Sequence, residues 1–447
     1  MTVTTFWCEH AWLDGAVSDS VRIGVDNGRI ATVEIGARPT ASSDVLAGLV
    51  LPGLGNAHSH AFHRALRART QRDRGSFWTW RKLMYDVAGR LTPERYRDLA
   101  AAVYAEMALA GITAVGEFHY LHHDTGGRPY ADPNEMGKAL IAGARDAGVR
   151  LTLLDTCYLS ADIDGAPLAD GPQQRFGDGS GAAWAQRVDQ LRDDVGAEER
   201  VIVGAAIHSV RAVPVPDMKA VVEWADAYDA PLHVHSSEQT AEVDACLAVH
   251  GCTPTAVMRD NGVLGPRTTA VHATHLTDQD IADLDHTAAG VCFCPTTERD
   301  LGDGIGPAPA LLAGSGPFSL GSDSHAVIDL FEEARAVELD ERLARRERGI
   351  ISAATLLDSA TAAGQHALGW SDAGVLRVGA RADLVAVDLG SVRTAGGGAT
   401  GENVVFAAAA ADVTDVVVDG RRVVTAGRHV SFADVGAALA AAIGACR

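Results

Sequence analysis

The stretch Asn56-Ala57-His58-Ser59-His60 decides the interpretation of this chain, and it directly follows the apolar run Leu49-Val50-Leu51 and a Pro-Gly turn at 52–53. Alternate residues of a strand point to the same face of a sheet. The imidazoles of His58 and His60 can therefore reach one metal ion at the mouth of a barrel. A His-x-His pair alone is weak evidence, because most such pairs are incidental surface or core residues.

Three later strand-like runs end in side chains of the same kind. The first ends at His235 and Glu238, the second at His272 and the third at Asp323. Side chains at the carboxyl ends of parallel strands meet on one face of a barrel. We therefore expect these side chains to converge with the first two histidines.

The alternation of short apolar runs with helix-length segments predicts a (β/α)₈ TIM-type barrel over residues 51–371. The flanking segments, 1–50 and 372–447, carry strand and hairpin signals. We expect these two segments to form together a small β-sandwich domain. The eight predicted barrel strands are Leu49–Leu51, Thr113–Glu117, Leu151–Asp155, Val201–Ile207, Pro231–His235, Thr269–His272, Gly290–Cys294 and Ser319–Asp323.

The composition sets limits on the class of protein. Hydrophobic residues make up 47% and charged residues 21% of the 447 residues, as in soluble globular proteins. No apolar run approaches the roughly 18 residues needed to span a bilayer. The N-terminus shows no secretory signal pattern. The seven cysteines are scattered without a Cys-x-x-Cys pair, which argues against a disulfide framework. These features predict a cytoplasmic protein.

The formal net charge of −20 argues against nucleic acid or an anionic membrane as a partner, because the phosphate groups would be repelled. An anionic substrate would have to be captured by local cations. For the oligomeric state we expect a homodimer, although no motif carries that expectation.

The segment 160–181 is long for a connecting loop and rich in Gly, Asp and Pro. Such a loop is often a lid over an active site. A disordered excursion is the alternative that the sequence leaves open.

Four residues form the predicted metal site. They supply three imidazole nitrogens and one carboxylate oxygen, which suits one zinc ion per chain with a position left for water. Zinc lowers the pKa of a bound water from about 16 to near 7. No lysine ends the runs before His208 or His235, so a second, bridged metal is not expected. The predicted ligands are His58, His60, His235 and Asp323.

Two further residues are predicted to move protons. Glu238 lies three residues after His235, on the turn beyond the strand, where it can bind the substrate and carry a proton. His272 can hold or deprotonate the attacking water. Each residue alone is more often a buried structural histidine or a solvated carboxylate at a helix start. Their convergence with Asp323, which we also count as catalytic, favours hydrolytic deamination at a carbon that bears nitrogen.

The chain resembles the amidohydrolase superfamily over nearly its whole length. The resemblance rests on the Pro-Gly turn before the two histidines, on the other predicted ligands and proton-transfer residues, and on Gly379–Val385. Longer segments resemble, within that superfamily, the deiminases of N-formimidoyl-L-glutamate. These segments are Ser76–Tyr85, Glu117–His123, His208–Val213 and Thr297–Gly304.

This resemblance implies hydrolysis of N-formimidoyl-L-glutamate to N-formyl-L-glutamate and ammonia, a step of histidine degradation. Arg81, Tyr120, His208 and Arg211 would then bind the glutamate part of the substrate. Two guanidinium groups can each hold one carboxylate, as a small dicarboxylate requires. His63 is also placed at the substrate, although the family usually has Gln there.

Two other functions remain open on the sequence alone. One is a mononuclear deaminase of a purine or of a compound like S-adenosylhomocysteine. Aromatic stacking would favour that substrate, and aromatic residues are only 5% of the chain. The other is a non-catalytic zinc-containing barrel that binds a metabolite, but such a protein has no need of Glu238 and His272 as a proton shuttle.

Overall fold

The computed structural model of this chain describes residues 4–70 and 77–447. Ser76, the first residue of the family-like segment Ser76–Tyr85, therefore lies outside the described residues. The strands are β1 Thr4–Leu13, β2 Ala16–Asp26, β3 Arg29–Glu34, β4 Ser43–Pro52, β5 Leu54–Ser59, β6 Ile112–His119, β7 Arg150–Cys157, β8 Val201–Ile207, β9 Leu232–Ser236, β10 Thr268–His272, β11 Gly290–Phe293, β12 Phe318–Leu320, β13 Leu384–Val387, β14 Val413–Val418, β15 Arg421–Thr425 and β16 Arg428–His429.

Helices follow most of the central strands. Within the described ranges, none of them is long and apolar enough to cross a bilayer. Short 3₁₀ helices cover Ala61–Leu66, Pro172–Phe176 and Ala410–Asp412. The α-helices are α1 Phe77–Ala88, α2 Pro93–Leu109, α3 Glu135–Ala147, α4 Gly181–Val195, α5 Val215–Ala227, α6 Thr240–His250, α7 Pro254–Asp260, α8 Asp278–Thr287, α9 Pro295–Leu301, α10 Ala308–Leu312, α11 Leu330–Arg345, α12 Ala353–Ala360, α13 Ala362–Ala367, α14 Gly401–Ala407 and α15 Val435–Ala445.

The central sheet is a parallel barrel. Its strands run in the order β5 to β12, and each is paired in parallel with the next one along the chain. Most of its strand residues are buried, because one face lines the barrel interior and the other packs against helices. The structure thus confirms the predicted (β/α)₈ barrel and brings the carboxyl ends of its strands to one face.

One predicted barrel strand is wrong. Leu49–Leu51 belongs to β4, which pairs with β1 and β13 in the second sheet. The first barrel strand is instead β5, which begins at Leu54 after the turn at Gly53. An apolar run buried on both faces fits a strand of either sheet, so the run alone could not assign it. The other seven predicted runs overlap β6 to β12.

The second sheet is built from both ends of the chain, as predicted. Its eight strands lie in the order β16-β15-β14-β13-β4-β1-β2-β3. The predicted hairpin is β2–β3, which turns at Asn27 and Gly28 with φ angles of +49° and +77°. Asn and Gly tolerate these angles, and such a turn matches the twist of paired strands. The boundaries 1–50, 51–371 and 372–447 stay predictions.

A buried ion-pair network joins the barrel to the second sheet. The Arg150 guanidinium donates to both carboxylate oxygens of Asp383, at 2.9 and 2.5 Å. The backbone N–H of Asp419 donates to the same carboxylate at 2.9 Å. The side chains of Arg150 and Asp383 are almost fully buried. This network gives a structural reason for the sequence Gly379–Val385, in which Asp383 lies.

Replacing Asp383 with Ala is expected to lower the free energy of unfolding by roughly 3–5 kcal/mol, because the buried Arg150 would lose the carboxylate that it holds at two points and would keep only Asp419, at 3.1 Å, as an ion-pair partner. Denaturant unfolding measures the change. Asp372→Ala is the matched control, since Asp372 pairs with Arg29 and Arg381 near the surface and its loss should cost less than about 1 kcal/mol. Equal losses in the two variants would contradict the role given to the buried pair.

Candidate active site

Three histidine side chains meet at the carboxyl end of the barrel. The Nε2 atom of His58 lies 3.2 Å from Nε2 of His60 and 3.1 Å from Nε2 of His235. His58 lies in β5, His60 directly follows that strand, and His235 lies in β9. All three are buried. The structure therefore brings together the three histidines that the sequence predicts as metal ligands.

The hydrogen bonds of these rings leave lone pairs facing one another. Nδ1 of His60 lies 3.0 Å from the carbonyl oxygen of Phe118, and Nδ1 of His235 lies 2.8 Å from that of His208. Because a carbonyl oxygen only accepts, Nδ1 carries the proton in both rings and Nε2 keeps a lone pair. Burial lowers the pKa of His58, of His60 and of His235, which keeps the rings neutral. Neutral imidazoles with converging lone pairs are the form that binds a metal ion.

The carboxylate of Asp323 adds an oxygen to this cluster. Its Oδ1 atom lies 3.5 Å from Nε2 of His58 and 3.4 Å from Nε2 of His60. Burial alone would raise the pKa of this carboxyl, but its hydrogen bond to His58 and its interactions with the other imidazoles hold the pKa well below its usual value. Three nitrogens and one carboxylate oxygen are a donor set that suits zinc. The residues present therefore fit one zinc ion.

Glu238 and His272 lie beside the cluster. Oε1 of Glu238 lies 3.8 Å from Nε2 of His272, and that nitrogen lies 3.9 Å from Oδ2 of Asp323. Nδ1 of His272 lies 3.3 Å from Oε1 of Glu298, a buried residue to which sequence reasoning gave no role. His272 thus has carboxylates near both ring nitrogens.

The electrostatics of this group favour proton transfer. Burial raises the pKa of Glu238, despite the opposing charges of His272 and Arg211. Burial also disfavours a charged His272, but Glu238, Glu298 and Asp323 outweigh it and hold the pKa of that imidazole well above its usual value. A carboxyl that holds its proton more tightly than usual and an imidazole that takes one more readily than usual can together move a proton.

Both predicted arginines line the same cavity as these groups. The cavity has a volume of about 270 Å³. Arg81 lies in α1, where its Nε donates to the hydroxyl of Tyr85 at 2.7 Å. Arg211 follows β8, and its guanidinium makes no hydrogen bond or ion pair within 4.0 Å to any residue that the structure describes. The predicted site residues that line the cavity are His60, His63, Arg81, Tyr120, His208, Arg211, His235, Glu238, His272 and Asp323.

The predicted substrate contacts Tyr120, His63 and His208 are close to one another. The hydroxyl of Tyr120 lies 2.9 Å from Nε2 of His63, and its ring centroid lies 5.4 Å from that of His208. Burial lowers the pKa of His63 to about 3, so this ring is neutral. His63 therefore holds the tyrosine hydroxyl in place.

The segment 160–181 forms part of the cavity wall. It contributes Asp162 and Phe176, and it contains the 3₁₀ helix Pro172–Phe176. The buried guanidinium of Arg175 ties the segment to the chain below it by donating to the carbonyl oxygens of His123 and Leu91, at 2.7 and 2.8 Å. The segment is therefore packed against the chain below it and forms one wall of the cavity. Other aromatic lining residues that sequence reasoning did not single out are Trp80, Tyr85 and Tyr158.

The model of the amidohydrolase family matches residues 49–423, which include the whole barrel and the part of the second sheet that follows it in the chain, up to β15. The chain belongs to the amidohydrolase family.

Individual amidohydrolases and their relatives match at full length. A formimidoylglutamate deiminase from Pseudomonas aeruginosa is 39% identical over 443 residues, 96% of this chain and 96% of that protein. The crystal structure of an amidohydrolase from Brucella melitensis is 34% identical, covers 99% of both chains and has a TM-score of 0.92. An adenosine deaminase from Xanthomonas campestris, solved with bound zinc, is 25% identical, covers 99% of this chain and 97% of that one, and has a TM-score of 0.84. This amidohydrolase is accordingly a hydrolase of the deaminase type.

Gly321 allows β5 and the chain after β12 to approach closely in this amidohydrolase. A Cβ atom at Gly321 would lie 2.7 Å from Cβ of His58 and 2.9 Å from its backbone nitrogen and oxygen. We expect Gly321→Ala to displace His58 and to lower the zinc content of the purified protein at least tenfold. Gly265→Ala is the control, because nothing lies within 4 Å of a Cβ there. Full zinc content in Gly321→Ala would contradict this close packing.

Proposed function

We propose that this chain is a zinc-dependent deiminase that hydrolyses N-formimidoyl-L-glutamate to N-formyl-L-glutamate and ammonia. The observation that carries the proposal is that two arginines, Arg81 and Arg211, line one cavity with the metal-binding cluster and its proton-transfer residues. The 39% identity to a formimidoylglutamate deiminase supports the same substrate.

The two guanidinium groups match the two carboxylates of the substrate. A guanidinium presents parallel N–H donors that hold a carboxylate at two points. Arg211 is half-buried and has no ion pair within 4.0 Å among the described residues, so a substrate anion would find its donors available. His208 and Tyr120 supply further polar atoms in the same cavity. Anchoring at two points also orients the formimidoyl carbon, which determines which C–N bond breaks.

His58, His60, His235 and Asp323 would hold the zinc ion. When bound there, zinc supplies a Lewis acid that makes water nucleophilic at neutral pH. The adenosine deaminase solved with bound zinc supports this choice of metal.

The residues in and beside the metal-binding cluster would carry out the proton transfers. His272, held by Glu298, would hold the attacking water, and Asp323 would accept one proton from it. Glu238 donates a proton to the terminal nitrogen of the substrate, so that this nitrogen leaves as ammonia. The raised pKa of Glu238 suits this role, because a general acid must carry its proton near neutral pH.

A purine substrate is the second candidate, because one observation favours it. The cavity is lined by the rings of Trp80, Tyr85, Tyr120, Tyr158 and Phe176. A base can stack on such rings, so the low aromatic content of the whole chain does not argue against a ring substrate. A purine has no pair of carboxylates, so it would leave the two arginines without a role in substrate binding.

Ammonia release by the zinc-loaded enzyme tests the proposal. N-formimidoyl-L-glutamate, adenosine, guanine and S-adenosylhomocysteine are supplied in parallel at equal concentration. We expect kcat/KM to be at least 100-fold higher for N-formimidoyl-L-glutamate. A preference for any purine compound would refute the proposed substrate, and no turnover of any compound would favour a non-catalytic binding protein.

The wider setting of the enzyme is part of the same proposal. We expect it to act in histidine degradation, in the cytoplasm, as a homodimer with one zinc ion per chain. Metal analysis and sedimentation of the purified protein test the last two points.

A further inference from the structure

The metal-binding cluster spans the seam at which the barrel closes. His58 and His60 lie on one side of the seam, in and just after β5, and Asp323 lies on the other, after β12. In the part of the chain that the structure describes, the two strands share one isolated bridge, between Ser59 and Asp323. Two backbone hydrogen bonds cross there, from Asp323 N to His58 O at 3.0 Å and from His60 N to Asp323 O at 3.2 Å. Few backbone hydrogen bonds therefore cross the seam at the point where the predicted metal ligands must be placed accurately.

A buried row of side chains crosses the same seam just behind the ligands. Nε2 of His325 lies 3.2 Å from Oγ of Ser59, and Nδ1 lies 3.0 Å from Oγ of Ser322. The hydroxyl of Ser59 donates to Glu117 in β6 at 2.7 Å. The amide of Asn56 in β5 donates to Oγ of Ser322 at 2.8 Å and accepts from its backbone N–H at 2.9 Å. All five residues are buried.

Each hydrogen bond along this row can be given one donor and one acceptor. Ser59 uses its proton on Glu117, so its oxygen must accept from Nε2–H of His325. Nδ1 of the neutral ring is then an acceptor and receives the hydroxyl proton of Ser322. Ser322 in turn accepts from Asn56. With Glu117 ionised, each proton in the row is used once and no polar atom in it competes with another.

The backbone on the β12 side is in a conformation that needs such support. Asp323 has a φ angle of +39° and His325 one of +59°, which are uncommon for residues other than glycine. Such a conformation persists when surrounding contacts fix it, and it is frequent at functional sites. Arg67 adds to the fixation by donating to the carbonyl oxygen of His325 at 2.6 Å.

We propose that His325, linking Ser59 to Ser322, is a positioning residue that sets the placement of the Asp323 carboxylate against His58 and His60. It touches neither substrate nor metal and acts through the strand ends that carry the ligands. The inference rests on the proposed function only in that the site holds zinc, and it does not depend on the substrate.

The affinity for zinc tests this role without any substrate. His325→Asn keeps an acceptor near the Nδ1 position and tolerates a positive φ, but its side chain is too short to replace the Nε2 contact with Ser59. We expect the zinc Kd, measured by competition with a chromogenic chelator, to rise about 10- to 100-fold. His429→Asn is the control, because His429, in β16 of the second sheet, is also buried and also has both ring nitrogens in hydrogen bonds, with the carbonyl oxygen of Ala147 in α3 and with the backbone N–H of Ser431. Its zinc Kd should stay within about twofold of the wild type.

A second comparison separates positioning from a general loss of stability. The zinc-free His325→Asn and His429→Asn proteins should unfold at similar midpoints although only the first loses zinc affinity. Ser59→Ala should raise the zinc Kd less in the His325→Asn background than in the wild type, because both changes break the same bond. If His325→Asn does not fold, Ser322→Ala carries the test with the same expected rise. A zinc Kd within twofold of the wild type in the folded variant, fully additive effects, or a wild-type protein that binds no zinc would overturn the proposal.

Discussion

Glu238→Gln is expected to lower kcat for N-formimidoyl-L-glutamate by about 10²- to 10⁴-fold, the usual contribution of a general acid or base. Glutamine has nearly the same shape and still forms hydrogen bonds, but it cannot give up a proton. Glu238 lies beside His272 and is not one of the predicted metal ligands, so the zinc content should be unchanged. Steady-state ammonia release and metal analysis of the same preparation measure both effects.

The control for this change is Glu242→Gln. Glu242 lines the same cavity and accepts from the backbone N–H of Glu238 at 3.0 Å, but it lies in α6, four residues farther along the chain. Its replacement should have a much smaller effect on kcat. A Glu238→Gln enzyme that keeps more than about a tenth of the wild-type kcat would remove Glu238 from the proton-transfer step.

Arg211→Met is expected to lower kcat/KM for N-formimidoyl-L-glutamate by about two to four orders of magnitude. The reason is that a substrate carboxylate would enter the half-buried cavity without its cation, and an uncompensated buried charge costs about 3–5 kcal/mol. Initial rates at low substrate concentration give the ratio directly. Arg211→Lys should recover only part of the loss, because an ammonium group cannot hold a carboxylate at two points.

Arg192→Met provides the comparison for the loss of an arginine elsewhere. Arg192 lies in α4 with its guanidinium 4.0 Å from the centroid of the Tyr228 ring, outside the cavity. Its kcat/KM should match the wild type. If Arg211→Met also retained wild-type kcat/KM, the diacid would not be held by that side chain, and a purine would become the better candidate substrate.

The residues at the carboxyl ends of the barrel strands are the part of the site that the sequence predicts best. His58, His235, His272 and Asp323 follow apolar runs of strand length, and a barrel has only one face on which such ends can meet. Local pattern therefore implies their spatial proximity. The run Leu49–Leu51 shows the limit of the same reasoning, because burial on both faces is common to the barrel and to the second sheet.

Residues carried by loops and helices could not be found in this way. Phe176 reaches the cavity only because the segment 160–181 packs back against the barrel, which no periodicity encodes. Glu298 had a usable signal, since it follows the end of β11 by five residues at the same face of the barrel. His325 gave none, because its role arises from partners that lie far away in the sequence, of which Ser59 is one.

The products formed by the zinc-loaded enzyme from N-formimidoyl-L-glutamate test the central claim most directly. Proton NMR distinguishes the two possible cleavages, since each leaves the formyl hydrogen in a different molecule. The proposed function predicts N-formyl-L-glutamate and one equivalent of ammonia. L-Glutamate with formamide, or unchanged substrate, would contradict it.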